Sequence, residues 1–355
     1  MKSNLITLFF LSGIALLGCG THRSGMAART QGVYSEFGSF TVSSFQLLQQ
    51  TNTSLLLAVY PSGSTYSGQI GSSELLNVIH QTAQNGVGLR LWPMLAQADG
   101  VWPNEDNVDL FSQEVDSLLT WLNANKVKPG WLIFDLEPPY SLTVSMTTIA
   151  QTGNTFSALS LLISYMSPST YRYALKRFTE IVESVHKNGW KVECVTYPLV
   201  LDDRYDSNSG MQVLFHIPVF GVPWDQVSFM VYQSSFKELL GKWFGPSLVA
   251  SYAKDAYALY GDNAAIALGV VGNDPLSGIQ GYTSPTQLFD DESAALGQGI
   301  THIEIYSLDE ILSQNDPYAW LNTSNIKPGS FSVTTDVQST RQLIQTFAKS
   351  LDTNL

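Results

Sequence analysis

The chain of 355 residues carries a formal net charge of −12, and only 14% of its residues are charged. An acidic chain without a cluster of Lys and Arg disfavours nucleic acid and anionic membrane surfaces as partners. Aromatic residues make up 12% of the chain, which favours neutral amphipathic ligands such as sugars. The five histidines show no metal-ligand spacing and no cofactor-binding motif is present, so we expect neither a metal nor an organic cofactor.

The first residues predict export. A basic second residue is followed by an apolar run too short to span a membrane, which is typical of a signal peptide over residues 1–18. The run ends in Leu16-Leu17-Gly18-Cys19, which resembles a bacterial lipobox, in which the cysteine is lipidated. We therefore expect a lipid anchor at Cys19 and a place in the bacterial cell envelope. The alternative is a plain secretory leader in which Cys19 has no role. Residues 19–32 lack an apolar period and predict a tether.

Short apolar runs then alternate with helix-like segments to the end of the chain. The runs, typical of buried strands, lie at 33–40, 54–60, 87–94, 131–137, 190–197, 227–232, 265–271 and 300–308. The helix-like segments lie at 44–50, 73–85, 108–125, 169–188, 246–260, 285–297 and 337–351, and 236–243 remains open between helix and loop. This alternation predicts an α/β fold, a single (β/α)8 TIM barrel over residues 33–355, with its active site at the carboxyl ends of the strands.

The predicted fourth strand ends in two acids. The segment Gly130–Pro139 reads Gly-Trp-Leu-Ile-Phe-Asp-Leu-Glu-Pro-Pro, so Asp135 and Glu137 stand two apart and project from one face. Burial, together with repulsion between the two carboxylates, would raise the pKa of one acid while the other stays ionised. Glycoside cleavage requires this combination, a general acid beside a charge-stabilising carboxylate. The alternative is an acid pair that only caps the following turn.

Three predicted strands together resemble glycoside hydrolase family 18, the family of chitinases and endo-β-N-acetylglucosaminidases. The fourth strand keeps the last Asp and the Glu of the family pattern Asp-x-x-Asp-x-Asp-x-Glu, as Asp135 and Glu137. The sixth strand, Ser228–Gln233, is similar to the family's Met-x-Tyr-Asp. The eighth strand, Ile303–Asp309, is similar to its Met-x-Trp-x-Leu-Asp.

Four departures from the family pattern bear on the site. Gly130 and Ile133 stand where the family has the two acids that support its catalytic Asp, so Asp135 lacks its usual proton-sharing neighbour. Gln233 replaces an acid that helps to hold the reacting acetamido group, and its amide can still donate a hydrogen bond there. Tyr306 stands where the family has a Trp that stacks on the sugar.

The resemblance implies a retaining, substrate-assisted hydrolase of glycans that contain N-acetylhexosamine. Glu137 would protonate the glycosidic oxygen, and Asp135 would orient the acetamido group whose oxygen attacks the anomeric carbon. Tyr232 and Gln233 would hold that group, and Tyr306 would form the floor under the sugar. Chitooligosaccharides and glycoprotein glycans remain open as substrates. Peptidoglycan is a further alternative, because family 25 lysozymes also carry Asp-x-Glu on a barrel strand.

Two other classes of function remain open on the same barrel. One is a catalytically degenerate surface lipoprotein that binds glycans without cleaving them, and the other is a structural envelope lipoprotein without a ligand. The sequence does not indicate the oligomeric state.

Strand alternation adds further candidates for substrate contact. If Tyr232 and Tyr306 face the barrel interior, Met230 lies one layer below them. Tyr197, at the end of the fifth strand, either binds substrate or only packs. Trp92, at the end of the third strand, either forms a sugar platform or pins the loop that follows.

The same alternation places Arg90 inside the barrel, where an unpaired charge is costly, so we expect it to pair with Glu193 or Glu304. Trp102, in the loop after the third strand, has the same two interpretations as a platform or a pin. The long insert 138–168 is rich in Ser and Thr, and we expect it to lie over the site.

Overall fold

The computed structural model describes residues 28–36, 38, 40–64, 68–151, 155–205, 208–273 and 278–351, except for the side chains of 146–151, 155–159 and 239. In this part of the chain, eight parallel strands close into a barrel in chain order. The strands are β1 (Thr30–Ser35), β2 (Thr53–Val59), β3 (Leu89–Pro93), β4 (Trp131–Leu136), β5 (Lys191–Thr196), β6 (Gln226–Met230), β7 (Ala264–Gly269) and β8 (His302–Tyr306). Since β8 pairs with both β7 and β1, the sheet closes. The predicted (β/α)8 barrel is confirmed.

Helices connect the strands on the outside of the barrel. The α-helices are α1 (Val42–Gln50), α2 (Ser73–Gln84), α3 (Val108–Ala124), α4 (Tyr140–Gln151), α5 (Thr155–Tyr165), α6 (Pro168–Lys187), α7 (Gly210–Phe215), α8 (Gln233–Leu240), α9 (Pro246–Tyr260), α10 (Pro285–Gly297), α11 (Leu308–Leu312), α12 (Pro317–Leu321) and α13 (Thr335–Leu351). The segment 236–243, left open between helix and loop, is largely the helix α8.

Local signals in the sequence set several of these boundaries. Ser72 is the N-cap of α2 and Ser167 is the N-cap of α6. Each serine hydroxyl accepts a hydrogen bond from a backbone N–H of the first turn of its helix. Pro168 follows Ser167 at the first helical position, where its missing N–H costs nothing. Gly86 and Gly189 follow the ends of α2 and α6 with φ of +67° and +79°, a conformation that other residues rarely adopt.

Apolar side chains fill two layers, one on each side of the barrel wall. Phe134 of β4 packs edge-on against Phe111 of α3, with ring centroids 4.8 Å apart, in the layer between strands and helices. Its neighbour Ile133 is buried among the residues that fill the barrel interior. Full burial of such a side chain contributes about 1.5–3 kcal/mol. Because side chains alternate along a strand, Asp135 shares the inward face with Ile133.

The insert after β4 forms two helices, α4 and α5, which pack against each other. Tyr140, the first residue of α4, lies against Trp102 from the loop after β3, with ring centroids 5.7 Å apart. The start of the insert therefore contacts a loop at the carboxyl end of the barrel, the end that carries the acid pair. Among the residues described, no helix combines the length and the apolar character needed to cross a membrane.

Candidate active site

The carboxyl end of the barrel, called the mouth below, receives Asp135 and Glu137 from β4. Asp135 lies one residue before the end of β4, and Glu137 directly follows the strand. Both are buried, with 4% and 9% of their surface exposed. Pro138 and Pro139 then stop the strand, because neither has an N–H to extend the ladder, and α4 begins at Tyr140. The strand thus ends at the point where its two acids reach the mouth.

Glu137 is held by a tyrosine from the neighbouring strand. The Tyr197 hydroxyl, just after β5, donates a hydrogen bond to Glu137 Oε2 at 2.9 Å. The ring of Tyr197 stacks on Phe215 at the end of α7, with centroids 6.2 Å apart and planes 26° apart. Tyr197 therefore packs and also positions the acid, and its contact with substrate stays a prediction.

Asp135 lies in an environment that disfavours its charged form. Burial raises its pKa well above the usual range, and the negative charges of Glu137, Glu36 and Glu304 raise it further. Its Oδ1 atom has no hydrogen-bond partner among the described residues. A buried polar atom without a partner is uncommon, so Oδ1 is a natural contact point for a ligand.

Glu36, directly after β1, is a third carboxyl group at the mouth. Tyr306 donates a hydrogen bond from its hydroxyl to Glu36 Oε1 at 3.0 Å. Burial raises the pKa of Glu36 to about 7; the bond from Tyr306 opposes this rise and the charge of Asp309 adds to it. Asp309 also fixes the end of β1, because it accepts hydrogen bonds from the Ser35 hydroxyl at 3.0 Å and from the Glu36 backbone N–H at 2.9 Å.

Glu36 was not among the predicted site residues. The sequence predicts a first strand that runs to residue 40, which places Glu36 in mid-strand, whereas β1 ends at Ser35. The signal that could have identified it is a lone Glu in an apolar run, followed by Gly38. Such a Glu at a strand end in a barrel belongs to the mouth.

Aromatic rings line the mouth between these acids. The rings of Tyr232 and Tyr306 lie 6.0 Å apart, and Tyr34 lies 6.3 Å from Tyr306 and 5.3 Å from Trp92. Tyr232 and Tyr306 are partly exposed, as is Tyr197, whereas Tyr34 and Trp92 are buried. The three partly exposed tyrosines are therefore the rings of this group that a ligand can contact without a rearrangement.

The layer beneath the mouth carries a paired charge network. Met230 is buried in the same cluster as Trp92. Glu304 accepts hydrogen bonds from the hydroxyls of Tyr34, at 2.5 Å, and Ser228, at 2.7 Å. Arg90 of β3 forms an ion pair with Glu193, and its Nη1 atom lies 3.8 Å from Glu304 Oε1. The expected pairing of Arg90 is thus confirmed.

The two tryptophans near the mouth are enclosed by protein. Trp92 is 2% exposed, and its indole Nε1–H has no hydrogen-bond partner among the described residues. Trp102 is 7% exposed and lies against Tyr140 of α4. Their burial favours the interpretation that they pin the loop after β3, since neither presents an open face to a sugar. The Trp92 N–H remains an unused donor at the base of the mouth.

Gln233 does not lie where the resemblance places it. Its amide N–H groups donate to Gly245 O at 2.9 Å and to Asp291 Oδ2 at 3.0 Å, and its Oε1 accepts from the backbone N–H groups of Phe244 and Gly245. The side chain is fully buried against the outer elements, so the expectation that it binds substrate is not supported. The reason is that β6 ends at Met230 and Gln233 begins the helix α8, where its side chain turns to the segment at 244–245. The remaining predicted residue, Cys19, lies outside the described residues.

Three carboxyl groups thus lie at the carboxyl ends of β1 and β4 in very different settings. Asp135 is buried with an open acceptor, Glu137 is oriented by Tyr197, and Glu36 is oriented by Tyr306. Such a set can supply a proton, take one up and stabilise a positive charge.

No protein-family model matches the chain, and a search of curated proteins found no match. Among solved structures, the barrel is similar to the glycoside hydrolase domain of PgaB (BpsB) from Bordetella bronchiseptica, with a TM-score of 0.52 and 12% identity over 86% of this chain and 100% of that one. It is also similar to the spore cortex-lytic enzyme SleL from Bacillus megaterium QM B1551, with a TM-score of 0.50 and 10% identity over 86% of this chain and 75% of that one. At these identities the similarity is one of fold.

Proposed function

We propose that this protein is an exported glycoside hydrolase that acts on a glycan containing N-acetylhexosamine, by a retaining mechanism in which the substrate's acetamido group takes part. One observation carries the proposal. Two buried carboxyls stand two residues apart at the mouth, where Glu137 is oriented by Tyr197 and the Oδ1 atom of Asp135 has no hydrogen-bond partner among the described residues. The neighbour PgaB is described as a glycoside hydrolase domain and has the same barrel, which agrees with a glycan as the class of substrate.

Glu137 is the proposed general acid and base. In the first step its proton passes to the glycosidic oxygen as the bond from that oxygen to the anomeric carbon breaks, and the acetamido oxygen bonds to that carbon from the opposite face. In the second step Glu137 takes a proton from water, and the water oxygen opens the resulting oxazolinium ring at the anomeric carbon. The two displacements retain the anomeric configuration. The hydrogen bond from Tyr197 keeps the carboxyl in place for both steps.

Asp135 is the proposed partner of the acetamido group. Its Oδ1 would accept the acetamido N–H, since this atom is buried and without a partner in the described structure. In the free site, burial and neighbouring negative charge favour the neutral acid. Asp135 acts as the carboxylate, its proton having passed to water at the mouth as the substrate binds. The positive charge that grows on the acetamido group favours this carboxylate, because an opposite charge nearby lowers the pKa of an acid. Asp135 therefore stabilises a charge that exists only along the reaction, which is how a group lowers a barrier.

The partly exposed rings of Tyr232 and Tyr306 would contact the reacting sugar. They lie 6.0 Å apart at the mouth, with Tyr306 fixed by its hydrogen bond to Glu36. Sugar rings present C–H faces that pack on aromatic rings. In this arrangement Tyr306 is the floor of the site and Tyr232 stands beside the acetamido group. Met230 supports both from the layer below.

A glycan-binding protein without turnover is the second candidate. It is favoured by the environment below Asp135, where Ile133 is fully buried among apolar side chains and Gly130 has no side chain. In glycoside hydrolase family 18, acids at these two positions share a proton with the catalytic Asp. Without them, the acids that act on Asp135 are Glu137, Glu36 and Glu304, whose charges raise its pKa. Binding without cleavage would mean that these acids do not replace the missing ones.

The experiment that tests the proposal compares two aryl glycosides, one with an acetamido group and one with a hydroxyl at the second carbon. The wild-type protein should cleave the first at least about 100-fold faster in kcat/KM, because the second lacks the internal nucleophile. Asp135→Asn should lower turnover of the first substrate, since a neutral amide cannot balance the positive charge. Equal cleavage of both substrates would remove substrate assistance, and no cleavage of either with oligosaccharide binding intact would favour the binding protein.

Export with a lipid anchor at Cys19 completes the proposal. It is supported by the sequence Leu16-Leu17-Gly18-Cys19 after an apolar run. A single acyl chain anchors a protein marginally, so stable attachment to the envelope needs more than one chain at this cysteine.

A further inference from the structure

Beside the mouth, Glu105, Asp106 and His216 form a cluster that the proposed chemistry does not use. Each residue offers one ligand atom, and these atoms lie within 4.8 Å of one another. Glu105 Oε1 is 2.6 Å from His216 Nδ1, and Asp106 Oδ1 is 3.6 Å from it. The side chains of Glu105 and His216 are 0% and 5% exposed, whereas that of Asp106 is 56% exposed. A buried imidazole thus faces two carboxylates, with one side open to solvent.

Buried polar atoms of this cluster lack well-formed hydrogen bonds. Both carboxylate oxygens of Glu105 and both ring nitrogens of His216 are enclosed by protein, and none of the four has a hydrogen bond of ordinary geometry among the described residues, although Oε1 and Nδ1 lie 2.6 Å apart. Burying polar groups without partners is costly, and native proteins satisfy nearly all of them. These atoms, with Nδ1 facing two carboxylates, point to a binding partner outside the polypeptide.

We propose that Glu105, Asp106 and His216 bind a divalent transition-metal ion, for which zinc is the best match. Imidazole nitrogen and carboxylate oxygen are both zinc ligands, whereas calcium and magnesium take oxygen ligands. With a neutral imidazole the cluster carries two negative charges, which one divalent ion balances. Zinc holds such ligands at about 2.0–2.2 Å, so the direct contact between Glu105 and His216 opens by less than about 1 Å to admit it. Water on the side of Asp106 supplies the remaining coordination.

The site joins two segments that shape the mouth. The Glu105 backbone N–H donates to His216 O at 3.0 Å, which links the loop after β3 to the end of α7. The first of these segments carries Trp102, which is buried in the aromatic cluster of the mouth. In the second, Phe215 stacks on Tyr197. A metal bound at the cluster would therefore fix both segments beside the catalytic acid; this consequence rests on the proposed function, whereas the binding itself does not.

A proton competes with the metal for His216. Burial lowers the pKa of the imidazole, but hydrogen bonds to Asp106 and Glu105 and the charges of these acids raise it to about 9. An imidazolium paired with these acids also stabilises the metal-free cluster, so a change in Tm only supplements a direct measurement of binding. The test must measure binding directly.

The test uses the full chain, freed of any affinity tag and stripped with a chelator. Isothermal calorimetry with zinc chloride should show one ion per chain, and cobalt(II) should give visible absorption bands characteristic of a bound, low-symmetry site. Zinc at about 100-fold over its dissociation constant should raise Tm by about 4 °C. Asp106→Asn should weaken zinc binding at least tenfold without affecting folding, because this side chain is mostly exposed.

Buried ligands are tested by conservative changes. His216→Asn suits its backbone, since φ is +61° and Asn tolerates this conformation, and Glu105→Gln keeps the volume. Both should abolish the cobalt bands. The exposed pair His186–Asp225, with its atoms 2.8 Å apart, provides the matched control, and His186→Asn should bind zinc like the wild type. The proposal is overturned if the wild type binds no zinc at 100 μM (roughly the weakest affinity of a specific site), or if Asp106→Asn and His216→Asn bind it unchanged. Neither result depends on glycan cleavage.

Discussion

Replacing Glu137 by Gln is the most informative single change at the mouth. The variant loses the acidic proton but keeps the size of the side chain, and its carbonyl oxygen can still accept the hydrogen bond that Tyr197 donates at 2.9 Å. The fold and the bound pose should therefore change little. Loss of general acid catalysis lowers rates by roughly 100-fold to 10,000-fold. We expect kcat on an oligosaccharide to fall at least about 100-fold, equivalent to about 2.7 kcal/mol in the barrier.

The leaving group separates a lost acid from a damaged site. In a dinitrophenyl glycoside of N-acetylglucosamine, the leaving group is dinitrophenolate, which departs without needing a proton. Glu137→Gln should therefore release the first equivalent of dinitrophenolate nearly as fast as the wild type in a stopped-flow assay. Later turnovers should be slow, because the second step needs a base. Glu114→Gln on the outer helix α3 is the matched control and should behave as the wild type on both substrates. Full activity of Glu137→Gln on oligosaccharide, or an equal loss on both substrates, would refute its role as the acid.

Three further predictions follow from other residues. Tyr306→Ala should weaken oligosaccharide binding by about 1–3 kcal/mol in calorimetry, whereas Tyr318→Ala on α12 should not, and unchanged binding would remove Tyr306 from the site. The pKa of Glu36 is raised from 4.5 to about 7, so the folded protein holds the proton of this carboxyl group more tightly than the unfolded chain does. The free energy of unfolding should therefore fall as pH rises from 4.5 to 7. Glu36→Gln should escape this loss and gain up to about 3 kcal/mol in urea unfolding relative to the wild type between pH 4.5 and pH 8; no relative gain would contradict the assigned burial. Cys19→Ala should yield protein without acyl mass that no longer partitions into detergent, and wild-type protein without acyl mass would exclude the anchor.

The fold could be predicted from the sequence because each strand is a short apolar run bounded by polar turns. The predicted strand at 131–137 is β4 (Trp131–Leu136), and the predicted helix at 285–297 is α10 with the same bounds. The helices α4 and α5 were not predicted, because the segment 138–168 is rich in Ser and Thr and lacks charges to mark an exposed helix face. The first strand was predicted too long for a related reason: Phe40 continues the apolar pattern after the strand has ended.

The candidate site was predictable as far as strand alternation reaches. Asp135 and Glu137 lie together because they are two apart on one strand, whatever the rest of the chain does. Gln233 was misplaced because the resemblance extends the sixth strand to it, whereas β6 ends at Met230 and Gln233 begins α8. Glu36 could not be brought to Tyr306 from sequence alone, since their contact depends on the closure of β8 against β1.

The central claim is that the substrate's acetamido group attacks the anomeric carbon while Asp135 and Glu137 assist. Proton NMR of the first product released from a β-linked chitooligosaccharide tests it most directly, because the configuration at the new reducing end is visible before mutarotation. We predict that the wild-type protein releases the β-anomer first, and that Asp135→Asn greatly slows its appearance. Release of the α-anomer would require direct attack by water and would contradict this mechanism.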